Sequence, residues 1–277
     1  MKKIRFTKMH GAGNDFVLID DRDGKFPESG NLIAEIAADR TGVGCEGVIL
    51  VRKSQRADFR MTFYNPDGTE AELCGNGSRC VAAFAKRIGA VKSNCMTFET
   101  GAGLVDAEIV DEGLVKIWMP EPTGRRYGCS AVCSEDGTTS VTGDYIVVGV
   151  PHFIVPVANV TKVDVANAGR ALRLSPEFAP NGTNVDFVQY IPPSKALIRT
   201  YERGVEAESG ACGTGAVAAV VAGVEAHGMS LPMHVRSSQG YDLVIDGDYR
   251  QSQGTGFALT GPVRVVFEGE IDIDSLY

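Results

Sequence analysis

The chain has 277 residues, 44% of them hydrophobic and 22% charged, an ordinary composition for a globular protein able to bury one large core or two smaller ones. Its 27 basic and 35 acidic residues give a formal net charge of −8, with no basic run and no aromatic–basic interleaving, which excludes a nucleic-acid surface as the expectation. No apolar window approaches membrane-spanning length, the start at Met1-Lys2-Lys3 lacks the apolar core of a signal peptide, and seven cysteines without framework spacing fit a reducing compartment, so a cytoplasmic protein with no membrane partner is expected.

In chain order, Ile4–Met9 alternates as a strand and Phe16–Asp20 is a short apolar run, with the glycine-rich turn His10-Gly11-Ala12-Gly13-Asn14-Asp15 between them. Leu32, Ile33, Ile36 and Ala37 have helical spacing. Gly47–Val51 and Phe59–Tyr64 read as strands, the second delivering the turn Asn65-Pro66-Asp67-Gly68. A small-residue helix follows Cys74, then strands at Met96–Thr100, Leu104–Val110 and Leu114–Met119. Pro120-Glu121-Pro122 interrupts the pattern and marks a domain boundary. Strands at Tyr145–Val150 and Phe153–Val157 flank Pro151-His152. A helical segment near Val165–Leu172 and strands at Val185–Tyr190 and Ala196–Tyr201 lead to a second small-residue helix ending near Ala226. Met233–Arg236, Leu243–Ile245, Phe257–Thr260 and Val263–Phe267 are the closing strands. Many short strands with one substantial helix per half predict an α+β fold of two domains, each a mostly antiparallel sheet wrapped around a central helix. Residues 1–118 plus 263–277 form the expected N-terminal domain, carrying Cys74, and 119–262 the C-terminal domain, carrying Cys212; the final strand returns to the first domain.

The two helices open alike. Glu70-Ala71-Glu72-Leu73-Cys74-Gly75-Asn76-Gly77 recurs half a chain later as Glu206-Ala207-Glu208-Ser209-Gly210-Ala211-Cys212-Gly213-Thr214-Gly215. Unpaired N–H groups at a helix N-terminus carry partial positive charge, and glycines let a ligand approach them, so each loop is an anion cradle. A thiol there is expected to have a lowered pKa. Two such cradles sharing one carboxylate suit inversion of an amino-acid α-carbon: one thiolate removes the proton from one face, the other cysteine returns one to the opposite face, and backbone donors stabilise the carbanion. This chemistry needs no cofactor, neither pyridoxal phosphate nor a metal. A lone buried cysteine is ordinarily a small core hydrophobe; the matched pair is what argues otherwise. Cys45, Cys80 and Cys95 are read as structural, Cys129 and Cys133 as loop cysteines, and His10, His227 and His234 as core or surface.

With these residues in view, the chain resembles the diaminopimelate epimerase family over essentially its whole length. The likeness rests on Lys8-Met9-His10-Gly11-Ala12-Gly13-Asn14-Asp15-Phe16, on Asn65-Pro66-Asp67-Gly68 running to Cys74-Gly75-Asn76-Gly77, on Asn181-Gly182-Thr183-Asn184-Val185, and on Tyr201-Glu202-Arg203-Gly204 running to Cys212-Gly213-Thr214-Gly215. The resemblance implies two pseudo-symmetric domains with the active site in the cleft between them. It implies an isomerase converting LL-2,6-diaminopimelate to the meso form for lysine and peptidoglycan precursor synthesis, with Cys74 and Cys212 as acid/base groups. Gly75, Asn76, Gly213 and Thr214 match the helix ends that bind the reacting carboxylate. Asn14, Asn65, Asn184, Glu202 and Arg203 match residues that recognise the rest of the substrate, and His152 and Glu202 match positions that tune the thiols. Arg203 suits a distal carboxylate and Glu202 an ammonium group. A homodimer is the candidate assembly. The chain departs from the family at Gly47, where some members have glutamine, and at Val150, where some have asparagine. A proline or hydroxyproline racemase of the same two-cysteine class is the alternative enzyme, and a non-catalytic amino-acid-binding or thiol-redox module the alternative outside catalysis.

Overall fold

The computed structural model describes residues 3–133, 138–250 and 254–275. The chain divides into two compact units, one holding residues up to Ile117 and again from Gly261, the other Trp118–Thr260.

The first unit runs β1 (Lys3–Gly11), β2 (Asn14–Asp20), α1 (Gly30–Ala37), β3 (Val48–Arg52), β4 (Phe59–Tyr64), β5 (Glu70–Ala71), α2 (Gly75–Arg87), β6 (Cys95–Thr100), β7 (Gly103–Asp111) and β8 (Leu114–Trp118). The second runs β9 (Thr123–Val132), β10 (Ser140–Val148), β11 (Val150–Pro156), α3 (Val165–Arg173), β12 (Asn184–Ile191), β13 (Lys195–Glu202), β14 (Ala207–Ser209), α4 (Gly213–Ala226), β15 (Met233–Arg236), β16 (Asp242–Arg250) and β17 (Gly254–Asp272), whose far half belongs to the first unit.

The pairings repeat. In the first unit β1–β2 is antiparallel, β2–β3 parallel, β3–β4 antiparallel, β4–β6 parallel and β6–β7–β8 antiparallel. In the second, β10–β11 is antiparallel, β11–β12 parallel, β12–β13 antiparallel, β13–β15 parallel and β15–β16–β17 antiparallel. Residues 263–272 of β17 pair with β1 as β9 pairs with β10. The register makes Val17, Val48 and Tyr64 equivalent to Phe153, Val185 and Tyr201.

Each sheet has a short amphipathic helix on one face and a buried one on the other. Ser29 caps α1 through Leu32 N–H, and its apolar side (Leu32, Ile33, Ile36) joins Val17, Val48 and Leu50 in one core. Asp164 caps α3, and Val165 and Leu172 join Phe153, Val185, Phe187 and Tyr201. The helices α2 and α4 pack on the opposite faces, α4 apolar on nearly every side and accordingly buried. Lys86 and Arg87 in the last turn of α2 complement its dipole.

Two features depart from the strand pattern read in the sequence. The segment after Pro122 is a ten-residue strand, β9, not a loop, so Cys129 lies on a strand. Its residues are mostly exposed and it has no apolar alternation; Gly124 and Gly128, both at positive φ, allow it to follow β10 through two register shifts. The last two predicted strands form one, β17. Pro262 carries no N–H, and it falls where pairing passes from β16 to β1, so no ladder bond is lost. Among the described residues no helix is long and apolar enough to cross a membrane.

Candidate active site

In the first unit Cys74 is the N-cap of α2, its Sγ accepting from Gly77 N–H at 3.4 Å. Asn14 enters from the start of β2 and brings Oδ1 to 3.8 Å from that sulfur. The same Oδ1 accepts from Asn76 Nδ2 at 3.2 Å, while Asn14 Nδ2 donates to Glu46. Asn76 is oriented by Arg79, whose Nη2 donates to Asn76 Oδ1 at 2.7 Å. Gly11 is required beside this cluster, because a Cβ there would come within 2.9 Å of the Asn76 carbonyl. Asn65 is engaged in its own turn, donating to Thr69 Oγ1 at 3.1 Å. The Gly47 departure has a local cause: a Cβ at that position would lie 2.5 Å from the Phe63 ring.

In the second unit Cys212 caps α4, with its Sγ 3.3 Å from Thr214 Oγ1. A connected polar chain runs inward from there. Thr214 Oγ1 lies 3.0 Å from His152 Nε2, His152 Nδ1 lies 2.7 Å from Asp186 Oδ2, and Thr200 donates to Asp186 Oδ1 at 2.6 Å. Sheet register explains the gathering. His152 pairs with Asn184 across β11–β12 and Asp186 with Thr200 across β12–β13, so all four share the face on which α4 packs. His152 and Asp186 are fully buried. A Cβ on Gly215 would meet Asp186 Oδ1 at 2.4 Å, so the helix lies directly on the carboxylate. Asn184 Nδ2 is 3.5 Å from His152 Nε2, and its Oδ1 accepts from Arg203 N–H at 2.8 Å. The Arg203 guanidinium reaches the Asn181 carbonyl at 3.2 Å and, with Arg126, Tyr145 and Gly182, lines a cavity of about 500 Å³. Arg126 stacks 4.2 Å over the Tyr145 ring.

An acceptor-only carboxylate on Nδ1 makes His152 the Nδ1–H tautomer, leaving Nε2 to accept from the Thr214 hydroxyl, which can in turn accept from the Cys212 thiol. The thiol therefore has a directed hydrogen-bond path to a buried carboxylate. Cys212 does not have the lowered pKa expected of a helix terminus: its pKa is raised well above the ordinary thiol value, because burial and then the Glu202 and Asp186 charges outweigh the hydrogen bonds from Thr214 and the Gly215 backbone. This gives Glu202 an electrostatic hold on the sulfur.

The structure thus connects Asn14, Cys74, Gly75 and Asn76 in one unit and His152, Asn184, Arg203, Cys212 and Thr214 in the other. Sequence reasoning missed Asp186, Thr200 and Arg79. For Asp186 a signal existed: a carboxylate inside the apolar run Val185–Val188, on the face that should be buried. Among the described residues no three His, Cys, Asp or Glu side chains are gathered to hold a metal ion.

The family model described as diaminopimelate epimerase matches residues 6–123 and 145–265. A diaminopimelate epimerase of Aquifex aeolicus (strain VF5) is 42% identical, with 99% of each chain covered. Among solved structures, a Bacillus anthracis phenazine biosynthesis protein of the PhzF family superposes with a TM-score of 0.73 at 20% identity, covering 98% of this chain and 100% of its own. A hydroxyproline epimerase from Agrobacterium vitis, with bound trans-4-OH-L-proline, gives 0.71 at 17%, covering 97% and 92%. These two likenesses establish the shared two-domain, sheet-rich α+β fold. At this identity and coverage, the chain belongs to the diaminopimelate epimerase family, whose members are isomerases.

Proposed function

We propose that this chain interconverts LL- and meso-2,6-diaminopimelate without a cofactor, Cys74 and Cys212 acting as base and acid on opposite faces of one α-carbon. The observation that carries the reading is the recurrence, in two topologically matching units, of a cysteine capping a Gly-x-Gly helix at the same place on the sheet. The reacting carboxylate is held by the N–H groups of the two helix ends at Gly75-Asn76 and Gly213-Thr214, where charge develops as the α-proton leaves. Arg203, helped by Arg126 across the shared cavity, receives the distal carboxylate, and Glu202 the distal ammonium group. Asn14, Asn65 and Asn184 complete substrate recognition.

Incubation of reduced protein with LL-diaminopimelate in D₂O is expected to place deuterium at the α-carbon and to yield the meso isomer. No deuterium uptake, or turnover of proline instead, overturns the reading.

The acid role of Cys212 also sets a pH dependence. Cys212 must hold its proton, and its raised pKa moves the alkaline limb of kcat above the ordinary thiol range. Removing the Glu202 charge stabilises the thiolate, so Glu202→Gln should bring that limb down by about one pH unit. A pH–kcat profile checks this; an unmoved limb removes Glu202 from control of the thiol.

A further inference from the structure

The two sulfurs are served by different polar groups. Under α4 the second unit places His152, Asn184, Asp186 and Thr200; the equivalent registers of the first hold Phe16, Gly47, Ile49 and Phe63. Those strand positions therefore offer no polar side chain to α2, and Gly77 rests on Ile49 as Gly215 rests on Asp186. The first unit has another apparatus, built sideways from the helix end out of Arg79, Asn76, Asn14 and Glu46. The matching positions of the second unit are Val217, Thr214, Val150 and Thr183, which include no amide, guanidinium or carboxylate.

The hydrogen bonds of this group run one way. Arg79 Nη2 donates to Asn76 Oδ1 at 2.7 Å, Asn76 Nδ2 donates to Asn14 Oδ1 at 3.2 Å, and Asn14 Nδ2 donates to Glu46 Oε2. The direction is forced from both ends. A guanidinium has donors and no acceptor, so the Asn76 atom against it is oxygen; its NH₂ then faces Asn14 and requires oxygen there too. An ionised carboxylate only accepts, so from the far end Glu46 requires the Asn14 NH₂. Turning either amide over would set donor against donor or acceptor against acceptor. The ends themselves are fixed. Arg79 is fully buried, and its Nη1 reaches the Gly75 carbonyl at 3.4 Å. The Glu46 side chain is exposed, but its backbone N–H donates to Asp15 Oδ1 at 3.1 Å and to the Asp15 carbonyl at 3.0 Å. Lys8 braces the same loop, pairing with Asp15 at 2.8 Å and donating to the Gly44 carbonyl. Two amide dipoles thus lie in series between a buried cation and a carboxylate, an arrangement in which each bond polarises the next.

Cys74 lies against the middle of this chain, its Sγ 3.8 Å from the Asn14 Oδ1 that also accepts from Asn76. We propose that Arg79 and Glu46 are positioning residues that hold the Asn76 and Asn14 amides in one direction, so that Asn14 offers Cys74 its carbonyl oxygen and keeps its NH₂ away from the sulfur. The inference rests on the reading of Cys74 as an acid/base group. An NH₂ directed at the sulfur would stabilise its anion and weaken it as a base toward the α-proton. The carbonyl leaves the sulfur basic and accepts from S–H once the proton has been taken.

Glu46→Gln and Glu46→Ala separate the acceptor from the charge, because both remove the charge and only glutamine still offers an oxygen to Asn14. The site is exposed, so both variants should fold. The reduced, substrate-free full chain is treated with iodoacetamide at pH 7 and followed peptide by peptide by mass spectrometry. In Glu46→Ala, Asn14 loses one of its two restraints and its NH₂ reaches the sulfur, so Cys74 should alkylate about threefold faster or more; Glu46→Gln should stay within about twofold of native. For LL-diaminopimelate, kcat/KM should fall about fivefold in Glu46→Ala and stay near native in Glu46→Gln. In asparagine-labelled protein the Asn76 side-chain amide resonance should shift in Glu46→Ala, carried there through Asn14. Equal Cys74 rates in the two variants overturn the proposal, whether both are raised, since the charge alone would then act on the sulfur, or both native. An unmoved Asn76 resonance also overturns it, confining Glu46 to its own loop. Absence of α-deuterium uptake by the native protein would instead strike the two-cysteine reading, while the alkylation rates and the resonance still decide how the amides are held.

Discussion

Cys212→Ala is expected to abolish interconversion of the two diaminopimelate isomers, with a loss of about four orders of magnitude in kcat, and Cys74→Ala to do the same. The reasoning is stoichiometric. Inversion needs a proton removed on one face and another delivered on the opposite face, so neither sulfur can substitute for its counterpart. The fold should survive both changes. Cys212 makes no side-chain capping bond to α4, and Cys74 makes one long contact to Gly77 N–H. Each alanine therefore removes a sulfur without emptying a core site, and the thermal midpoint should move by only a few degrees. The measurement is epimerisation alongside α-deuterium exchange for both variants, with a melting curve for each. Substantial inversion by either folded variant would mean that another group supplies the missing proton, and the two-base mechanism would be lost.

The features that repeat were the ones legible in the sequence. Cys74-Gly75-Asn76-Gly77 and Cys212-Gly213-Thr214-Gly215 announce helix starts because glycine and a small polar residue are poor helix formers that tolerate cap geometry, and the alanine-rich runs behind them are not. The strands lining both buried helices were readable because one or both faces are apolar. β9 was not, since its stability comes from pairing with β10 and its sequence is that of an exposed edge. The site was legible where a residue sits next to a cysteine loop and opaque where it is brought there by register. Asp186 and Thr200 meet His152 only because β11, β12 and β13 align them on one face. The raised pKa of Cys212 is hidden from the sequence for the same reason. The helix terminus is visible in the sequence, whereas the burial and the two carboxylates that outweigh it are tertiary facts.

Asp186→Asn should separate orientation from charge at the second sulfur. In the native protein Asp186 accepts from His152 Nδ1 and from Thr200 Oγ1 at once, which fixes the imidazole tautomer and turns Nε2 toward Thr214 and Cys212. Asparagine fills the same space but has one acceptor oxygen and an NH₂ group. The bond to His152 Nδ1 loses its ionic partner and the Thr200 hydroxyl must turn to accept from the NH₂ group, at a cost of about 1–2 kcal/mol, or roughly five- to thirtyfold if it falls on the transition state. The signs of the two effects differ. Loss of orientation lowers kcat at every pH, whereas loss of the negative charge, which raises the Cys212 pKa, brings the alkaline limb down as in Glu202→Gln. Asp186→Asn is therefore expected to show both changes, and Glu202→Gln to move the limb, with the loss of its distal ammonium contact read in KM. The ring-nitrogen resonances of His152 give an independent check, because the Nδ1–H tautomer should dominate in the native protein and lose its dominance in the variant. If Asp186→Asn keeps native kcat across the pH range, the carboxylate beneath α4 serves packing alone. The path from Cys212 through Thr214 to His152 would then carry no catalytic weight.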